Sequence, residues 1–540
     1  MPESLKNPTL PESWHLPWGA LGAHLLVFVI LVVSHQYFVL DHQHYFILGD
    51  DAMISMRYAQ HWAAGHGIYW NDTPTPEGYT NFLMVVLMAA AHKLAVWLGM
   101  SLHTTSLLVL VGNLLLQLGS LVLLARLVAG LTTQPQAVKW AVWALALNCQ
   151  FVLWGKYGFE TSLLVFFSIA ALLSVLRGRP WLASLLLAGA VLARDDAALL
   201  AFAVGVTALY GAPGHRLRDL IRLALLPLLA FCGHTIFRLH YYGMPLPNTY
   251  YLKATGLPIS YRLGHGSIYV AGMLGTIALA VWVLQRVLRS GRQLSAPQHV
   301  VLLASLGMLP LYTLYVLWVG GDAFGGSRLF SCLWFAPCLA VGLLAEEAAA
   351  RAWHTRWLLA ALLLVTISPL TRDCAAGYYH EAKFVLATLR HGPGNYANLD
   401  AAALVNVNAD VRNTWQCSRL RQDAAARGWT HPSMAVYYAG MAPYFCPEFE
   451  AIDLLGKSDA WIARTTPHLE DIVGHNKYDY EYSLTRYRPS YILSLIEVSS
   501  QLHDKDTHGM PGSIVHSHAF QQYYRPLPQS AYIFVRNDAP

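Results

Sequence analysis

Two adjacent carboxylates, Asp50 and Asp51, begin a polar stretch that runs from Gly49 to Phe82 between two apolar segments. A carboxylate held at a membrane surface can take the proton of a hydroxyl attacking a lipid-borne substrate. Other short polar segments also border apolar runs: Lys156 to Glu160; Arg194-Asp195-Asp196; Pro247 to Lys253, with Asn248 and Tyr250; and Gly320-Gly321-Asp322, followed by Arg328. A charge at mid-bilayer costs ~2.5–3.5 kcal/mol, so such groups should converge on a water-filled cavity at the surface. Their mixture suits glycosyl transfer from a lipid phosphate. A carboxylate accepts the hydroxyl proton, Lys and Arg neutralise the phosphate, and glycines with aromatics shape a sugar pocket.

Each residue also has a plainer reading. Asp50 and Asp51 can cap a helix or sit in a solvated loop. Lys156, Arg194 and Arg328 can be interface anchors with apolar stems. Asp195 and Asp196 can simply pair with Arg194. His24, His35, His42 and His44 cluster around the first apolar run, at spacings that fit no metal site. His61 and His66 either touch a substrate or are solvated. Aromatic stripes in the apolar runs are lipid-facing or packing residues.

The elements that must hold these groups are membrane helices. The chain has 540 residues, of which 55% are hydrophobic and 12% charged, with a mean hydropathy of +0.38. Soluble domains carry about 25% charged residues. The net charge of +5 comes from basic residues in short loops, which fits topology control and not nucleic-acid binding. Leu16 to Leu40 lacks a basic leader and a small-residue cleavage site, so it reads as a retained helix. Further apolar runs lie near Phe82 to Leu98, Thr105 to Leu127, Val138 to Trp154, Leu163 to Leu176, Trp181 to Ala193 and Ala197 to Tyr210. Five more follow: Leu223 to Tyr241, Ile268 to Leu288, Val300 to Val319, Leu329 to Leu344 and Trp357 to Leu370. Several are short enough to be tilted, broken or re-entrant.

Basic clusters at Arg177 and Arg179, Arg216 to Arg222, Arg286 to Arg292, and Arg351 with Arg356 mark the cytoplasmic side. The polar segments named above then fall on the opposite face. Strict alternation of every run conflicts with an external first loop. Making Phe82 to Leu98 re-entrant or surface-lying, with His92 and Lys93 inside it, removes the conflict.

From Arg372 the chain turns polar. Short β-branched or aromatic runs (Ala403 to Val407, Met434 to Tyr438, Tyr491 to Leu495, Tyr532 to Val535) alternate with helix-like Lys383 to Arg390 and Gln422 to Arg427. The pattern predicts an α/β unit. The expected organisation is a transmembrane unit over 1–371 of about 11 helices, with a first periplasmic loop at 41–82, and a periplasmic α/β domain over 372–540. No CxxC pair suggests zinc, and Cys374, Cys417 and Cys446 leave one disulfide open if this part lies outside the cytoplasm.

Taken together, the outward segments resemble a known family. Asp50-Asp51-Ala52, Arg57-Tyr58-Ala59, Gly65-His66-Gly67, Asn71 and Glu77-Gly78-Tyr79-Thr80 are similar to the first outer loop of GT-C-fold glycosyltransferases. The branch they most resemble contains the terminal β-(1→2)-arabinofuranosyltransferase of arabinan cell walls and pilin-modifying arabinosyltransferases. Gly158 to Thr161, Pro247 to Lys253, Gly320 to Arg328 and, in the C-terminal part, YYAGMAPYF and AIDLLGKSDAWIAR extend the resemblance over nearly the whole chain. The chain departs from the pattern at Arg194-Asp195-Asp196-Ala197, where Arg-Pro-Asp-Gly is expected. It departs again at His61-Trp62, where Asn and a small apolar residue are common.

The resemblance implies a polyprenyl-phosphoryl sugar donor, arabinofuranose by the branch, used on the periplasmic face of a bacterial inner membrane. It implies inversion by single displacement, a first-loop aspartate as base, and no metal or other cofactor. On that basis Asp50 is the first choice for the base and Asp51 the second. Arg57, Lys156, Lys253 and Arg328 are expected at the phosphate. Glu160, Asn248, Tyr250 and Asp322 are expected at sugar hydroxyls, and Tyr79 and Arg194 also at the substrate. The acceptor is left as a glycan, a glycolipid or a pilin-like protein. Two alternatives stand beside this reading: the same fold using a lipid-phosphate hexose such as mannose, and a non-enzymatic flippase or exporter of lipid-linked sugars.

Overall fold

The computed structural model describes residues 15–211, 216–322, 326–351, 355–369, 372–394, 409–469, 471, 473–493, 514–528 and 533–537. Among these, four helices are long and apolar enough to cross a membrane: Trp18–Gln36, Leu102–Ala129, Leu217–Tyr242 and Ala296–Val319. Two bent pairs, Pro135–Ala146 with Cys149–Lys156 and Ile259–Ala271 with Leu274–Arg289, bring the number to six if each is one span. Thr161–Leu176 and Pro180–Ala193, in runs expected to cross, form shorter helices, as does Phe82–Trp97, in the run expected to be re-entrant or surface-lying. At 1.5 Å per residue, a helix of 14–16 residues reaches only ~21–24 Å, short of the ~30 Å hydrocarbon layer. The outward faces of these helices expose large apolar side chains such as Trp97, Leu115, Phe202, Ile236 and Leu314, a surface suited to lipid.

The stretch expected as the loop 41–82 is largely ordered. After the first helix comes a hairpin of β1 (Tyr37–Leu40) and β2 (Gln43–Phe46). Its two-residue turn places Asp41 and His42 at φ of 50° and 61°, the left-handed conformation that matches strand twist. The helix Asp50–Ala64 follows. Gly49 precedes it in an extended conformation, Asp50 and Asp51 occupy the positive end of its dipole, and Gly65 ends it at φ 90°. Every residue from Ala52 to Ala59 is buried, because the helix packs between Phe82–Trp97 and the short helix Met441–Phe445. Phe82–Trp97 is one unbroken helix, with Val96 and Trp97 each 80% exposed at its end.

The C-terminal part carries a five-stranded mixed sheet of β3 (Ser433–Val436), β4 (Glu450–Asp453), β5 (Tyr491–Leu493), β6 (Tyr524–Pro526) and β7 (Ile533–Arg536), in the order β4-β3-β5-β7-β6. β3 runs parallel to β4 and β5, and β7 runs antiparallel to β5 and β6. The central strands β3, β5 and β7 are largely apolar because both of their faces are covered, whereas the edge strands β4 and β6 expose Glu450 and Arg525. Met434, Val436, Tyr491, Leu493, Ile533 and Val535 point into the core shared with the membrane helices. Their neighbours Ala435, Tyr437, Ile492 and Phe534 pack on the other side with Leu484 and Phe520. The strand expected at Ala403 to Val407 lies outside the described residues, as do the ends of the runs at Tyr491 to Leu495 and Tyr532 to Val535. Lys383 to Arg390 and Gln422 to Arg427 fall in the helices Arg372–His391 and Ala409–Arg427. Cys417 and Cys446 form a disulfide with Cα atoms 5.7 Å apart, and Cys374 is a buried thiol.

Candidate active site

The membrane-length helix Ala296–Val319 brings Tyr315 and Val319 near its C-terminal end to one cavity of about 290 Å³, and Leu246, just beyond the end of Leu217–Tyr242, lines it too. Its apolar wall includes Ile54, Leu246, Tyr315, Val319 and Leu329. Its charged lining comes from widely separated segments: Asp51, Glu160, Arg194, Asp195, Asp196, Lys253, Asp322, Arg328 and Lys457. Arg292, which precedes the N-terminal end of Ala296–Val319, pairs with Glu346, and Arg286, in the last turn of Leu274–Arg289, pairs with Glu347.

The centre is a tight set of three cations and two carboxylates. The Lys457 ammonium donates to Asp51 Oδ1 at 2.5 Å, and Arg328 Nη1 stands 4.0 Å from Asp51 Oδ2. Asp322 accepts from Arg328 at 2.6 Å and from Lys253 at 3.1 Å. Burial alone would raise both carboxyls. For Asp51 the charges of Lys457, Arg328 and Lys253 outweigh it and hold the group well below the ordinary carboxylate range. For Asp322 the charges of Arg328 and Lys253 do the same. Burial likewise opposes the charge on Lys457, but Asp51 and then Asp50 keep the ammonium's pKa above its usual value. His475 lies within electrostatic reach of this set, and burial pushes its imidazole down to about 4, so it is neutral near pH 7.

On the next wall, Glu160 accepts from the Asn81 amide at 3.1 Å and lies 3.6 Å from Arg194. Arg194 is clamped by Asp196, its Nε donating at 2.8 Å, and its Nη1 donates to the Arg328 carbonyl at 3.1 Å. Tyr79 lines the cavity with its hydroxyl 3.1 Å from that of Tyr242, and Tyr250 is half-exposed at the rim. Asp195 accepts from Arg238, which also donates to Glu77 at 2.6 Å. Burial pushes the Glu77 carboxyl up to about 7 against that arginine.

The fold therefore gathers Asp51, Tyr79, Glu160, Arg194, Tyr250, Lys253, Asp322 and Arg328. It does not bring four other expected residues to the cavity lining. Asp50 and Asp51 occupy successive positions of one helix, about 100° apart, and only Asp51 lines the cavity. Asp50 turns instead to the backbone N–H groups of Gly440 and Met441, at 3.2 and 2.9 Å. Position 440 must be glycine for this contact, because a Cβ there would stand 1.9 Å from the Asp50 carbonyl oxygen. Arg57 is buried, and its Nε donates to the Trp70 carbonyl at 2.9 Å. The Asn248 amide holds the carbonyls of Gly456, Lys457 and Asp459, and so shapes the turn that presents Lys457. Lys156 is fully buried. It pairs with Glu381 at 2.7 Å and contacts His35 at 2.9 Å, while Tyr157 donates to the same carboxylate at 2.6 Å. Lys457 was missed among the site residues although its stretch, AIDLLGKSDAWIAR, is singled out in the sequence. A lone lysine in a polar region gives no signal until the fold places it against Asp51.

No family model matches the sequence, and no curated protein does. Among solved structures, the chain is similar to the archaeal oligosaccharyltransferase AglB from Archaeoglobus fulgidus in complex with an inhibitory peptide and a dolichol-phosphate. That match has 12% identity and a TM-score of 0.48, and covers 98% of this chain and 75% of that one. ArnT from Cupriavidus metallidurans bound to undecaprenyl phosphate matches at 12% identity and a TM-score of 0.44, covering 82% of this chain and 87% of that one. ArnT in the apo state matches at 14% identity and a TM-score of 0.42, over 82% and 86%.

Proposed function

We propose that this protein transfers a sugar from a polyprenyl-phosphate donor to an acceptor hydroxyl, at a membrane surface facing away from the cytoplasm. The observation that carries the reading is the set of Lys253, Arg328 and Lys457 around Asp51 and Asp322, in a cavity with an apolar wall at the ends of membrane-length helices. Within this set three cations face two carboxylates, a local positive excess inside a lining that holds four cations and five carboxylates in all. The donor enters with one negative charge on its phosphodiester and leaves as a polyprenyl phosphate with a second charge developing. Fixed cations favour that change without reorganising. The acceptor oxygen attacks the anomeric carbon, the bond from that carbon to the phosphate oxygen breaks, and the hydroxyl proton passes to Asp51. Single displacement inverts the anomeric centre. The basic clusters at the far helix ends and the Cys417–Cys446 disulfide support a periplasmic cavity.

The finer reading is that the donor carries arabinofuranose and that the chain belongs with the arabinofuranosyltransferases it resembles. It rests on the first-loop motif and on the outward segments that resemble that branch. The acceptor reaches the cavity over a second one, of about 350 Å³, walled by Thr73 to Pro76, Ser458, Asp459, Trp461, Tyr482 and Tyr487. The two cavities share a thin partition, since Gly78 and Lys457 line the first while Pro76 and Ser458 line the second. The Tyr58 hydroxyl fixes that partition by donating to the Pro76 carbonyl at 2.6 Å and accepting from the Gly78 N–H at 2.9 Å. Trp461 is exposed and stacked on Tyr482, an aromatic platform for the apolar face of a sugar. Membranes containing the protein, incubated with labelled polyprenyl-phosphoryl arabinofuranose or polyprenyl-phosphoryl mannose, test the reading. Arabinosyl product supports it. Hexosyl product changes the donor, and movement of intact lipid without product overturns the transfer.

A further inference from the structure

Three side chains that the transfer does not use meet at the other end of the Asp50–Ala64 helix. His61 lies in its last turn, His66 follows Gly65, and Asp72 lies further along the connecting segment. None of the three lines either cavity. The His66 Nδ1 stands 2.7 Å from Asp72 Oδ1, and the His61 Nδ1 stands 3.8 Å from the same oxygen. One ligand atom from each residue falls within 4.8 Å of the others. His61 is only 7% exposed, and its Nδ1 has no hydrogen-bond partner among the described residues. The 3.8 Å gap is too long for a hydrogen bond. A buried polar atom left unmatched is costly, so this ring nitrogen calls for a ligand.

We propose that His61, His66 and Asp72 bind a divalent transition-metal cation, with zinc the best match. Two imidazole nitrogens and one carboxylate oxygen are the donor types zinc takes, whereas calcium needs six to eight oxygens. Metal–ligand bonds of about 2.0–2.1 Å put tetrahedral donors ~3.3 Å apart, a value bracketed by the two spacings found here. Water fills the fourth position on the exposed side, where His66 and Asp72 are 53% and 78% exposed. The charge of nearby Arg57 works against a cation and Asp72 opposes it, so this site binds less tightly than a closed four-ligand zinc site.

The site acts on position, not on reacting atoms. It ties the helix that carries Asp51 to the segment leading into Gly78–Asn81, which walls the cavity. That segment is already fixed at Asn71, whose side chain donates to the Ala451 carbonyl at 2.7 Å and accepts from its N–H at 3.2 Å. Asp72 is therefore held at the tip beside the two histidines.

The test uses the full chain in detergent, without a polyhistidine tag, stripped with chelator and titrated with Co²⁺. The expected result is one equivalent bound, with the strong visible absorption of a tetrahedral site, displaced by Zn²⁺. Zn²⁺ should also raise the Tm. His66→Ala and Asp72→Ala change exposed residues and should leave the fold intact. Each should weaken binding by about tenfold or more and abolish the Zn²⁺-dependent rise in Tm. No saturable binding in the unmodified chain, or binding unchanged in both variants, overturns the site. Sugar transfer is not the readout, so the result is independent of the proposed function.

Discussion

The Asp51 carboxylate and the Lys457 ammonium lie 2.5 Å apart although 406 positions separate them in the chain. The pair joins the helix Asp50–Ala64 to the loop after β4, and so ties both halves of the protein to one cavity. It also divides the two adjacent aspartates by role. Asp51 faces the cavity, and Asp50 accepts from the backbone of Gly440 and Met441.

Asp51→Asn should therefore lower sugar transfer by about 10²–10⁴-fold, the usual contribution of a positioned base. Because it also takes away the counter-charge of the buried Lys457 ammonium, the Tm should fall as well. Asp50→Asn keeps the size and one acceptor oxygen, so its loss should be smaller and should accompany a lower Tm. Rates per folded molecule for both variants decide the assignment. Equal activity of Asp51→Asn and the unmodified chain would remove Asp51 as the base.

Lys457→Met gives a pH signature. Asp51 is held below the ordinary carboxylate range, so it stays ionised and the acid limb of kcat/KM should lie below about pH 4. Removing the strongest opposing charge leaves burial to act with fewer counter-charges, and the acid limb should move to higher pH. The same shift bears on stability. A carboxylate depressed on folding contributes stability above its unfolded pKa and loses it as pH falls through the folded value. Lys457→Met should narrow that stable range from the acid side. A pH–rate profile that does not move in Lys457→Met would mean that another group sets the limb.

Much of this site was legible in the sequence because charged residues beside apolar runs have few places to go. Glu160, Arg194, Lys253, Asp322 and Arg328 could be nominated on that ground, and the fold puts all five around one space. The short apolar and aromatic runs at Met434 to Tyr438 and Tyr491 to Leu495 were legible as strand, but not which face met the helical core. Asp50 could not be told from Asp51, because their 100° separation exists only once 50–64 is a helix. Lys156 misled for a related reason. A lysine at a helix end reads as a phosphate ligand until Glu381, on a helix far along the chain, is found beside it.

Lys156 and Glu381 should accordingly govern stability and not the transfer itself. Both are buried, and Lys156 holds the Glu381 carboxyl well below its usual range although burial alone would raise it. Glu381→Gln leaves a buried ammonium without its counter-charge and should cost about 3–5 kcal/mol. The double change Lys156→Met with Glu381→Leu should recover much of that loss, since an apolar pair of similar volume replaces a desolvated ion pair. Thermal unfolding of the single and double variants gives the coupling. If Lys156→Met unfolds normally yet loses donor affinity, the lysine belongs with the substrate after all.

Substitution of Trp461 tests whether the second cavity takes the acceptor. The residue lines the second cavity and does not reach the first, and it is 59% exposed. Its ring is stacked on Tyr482 at 5.5 Å between centroids, so the platform exists before any ligand arrives. Trp461→Ala removes an aromatic face worth about 0.5–1.5 kcal/mol beyond its area, and should raise the KM for the acceptor about three- to tenfold. The KM for the lipid donor and kcat at saturating acceptor should stay the same, as for a residue that binds ground and transition states alike. Trp461→Phe should restore most of the acceptor affinity because it keeps a ring on Tyr482. If acceptor KM is unchanged in Trp461→Ala while donor KM rises, the second cavity serves the lipid, and the acceptor must enter from another side of the Asp51 cavity.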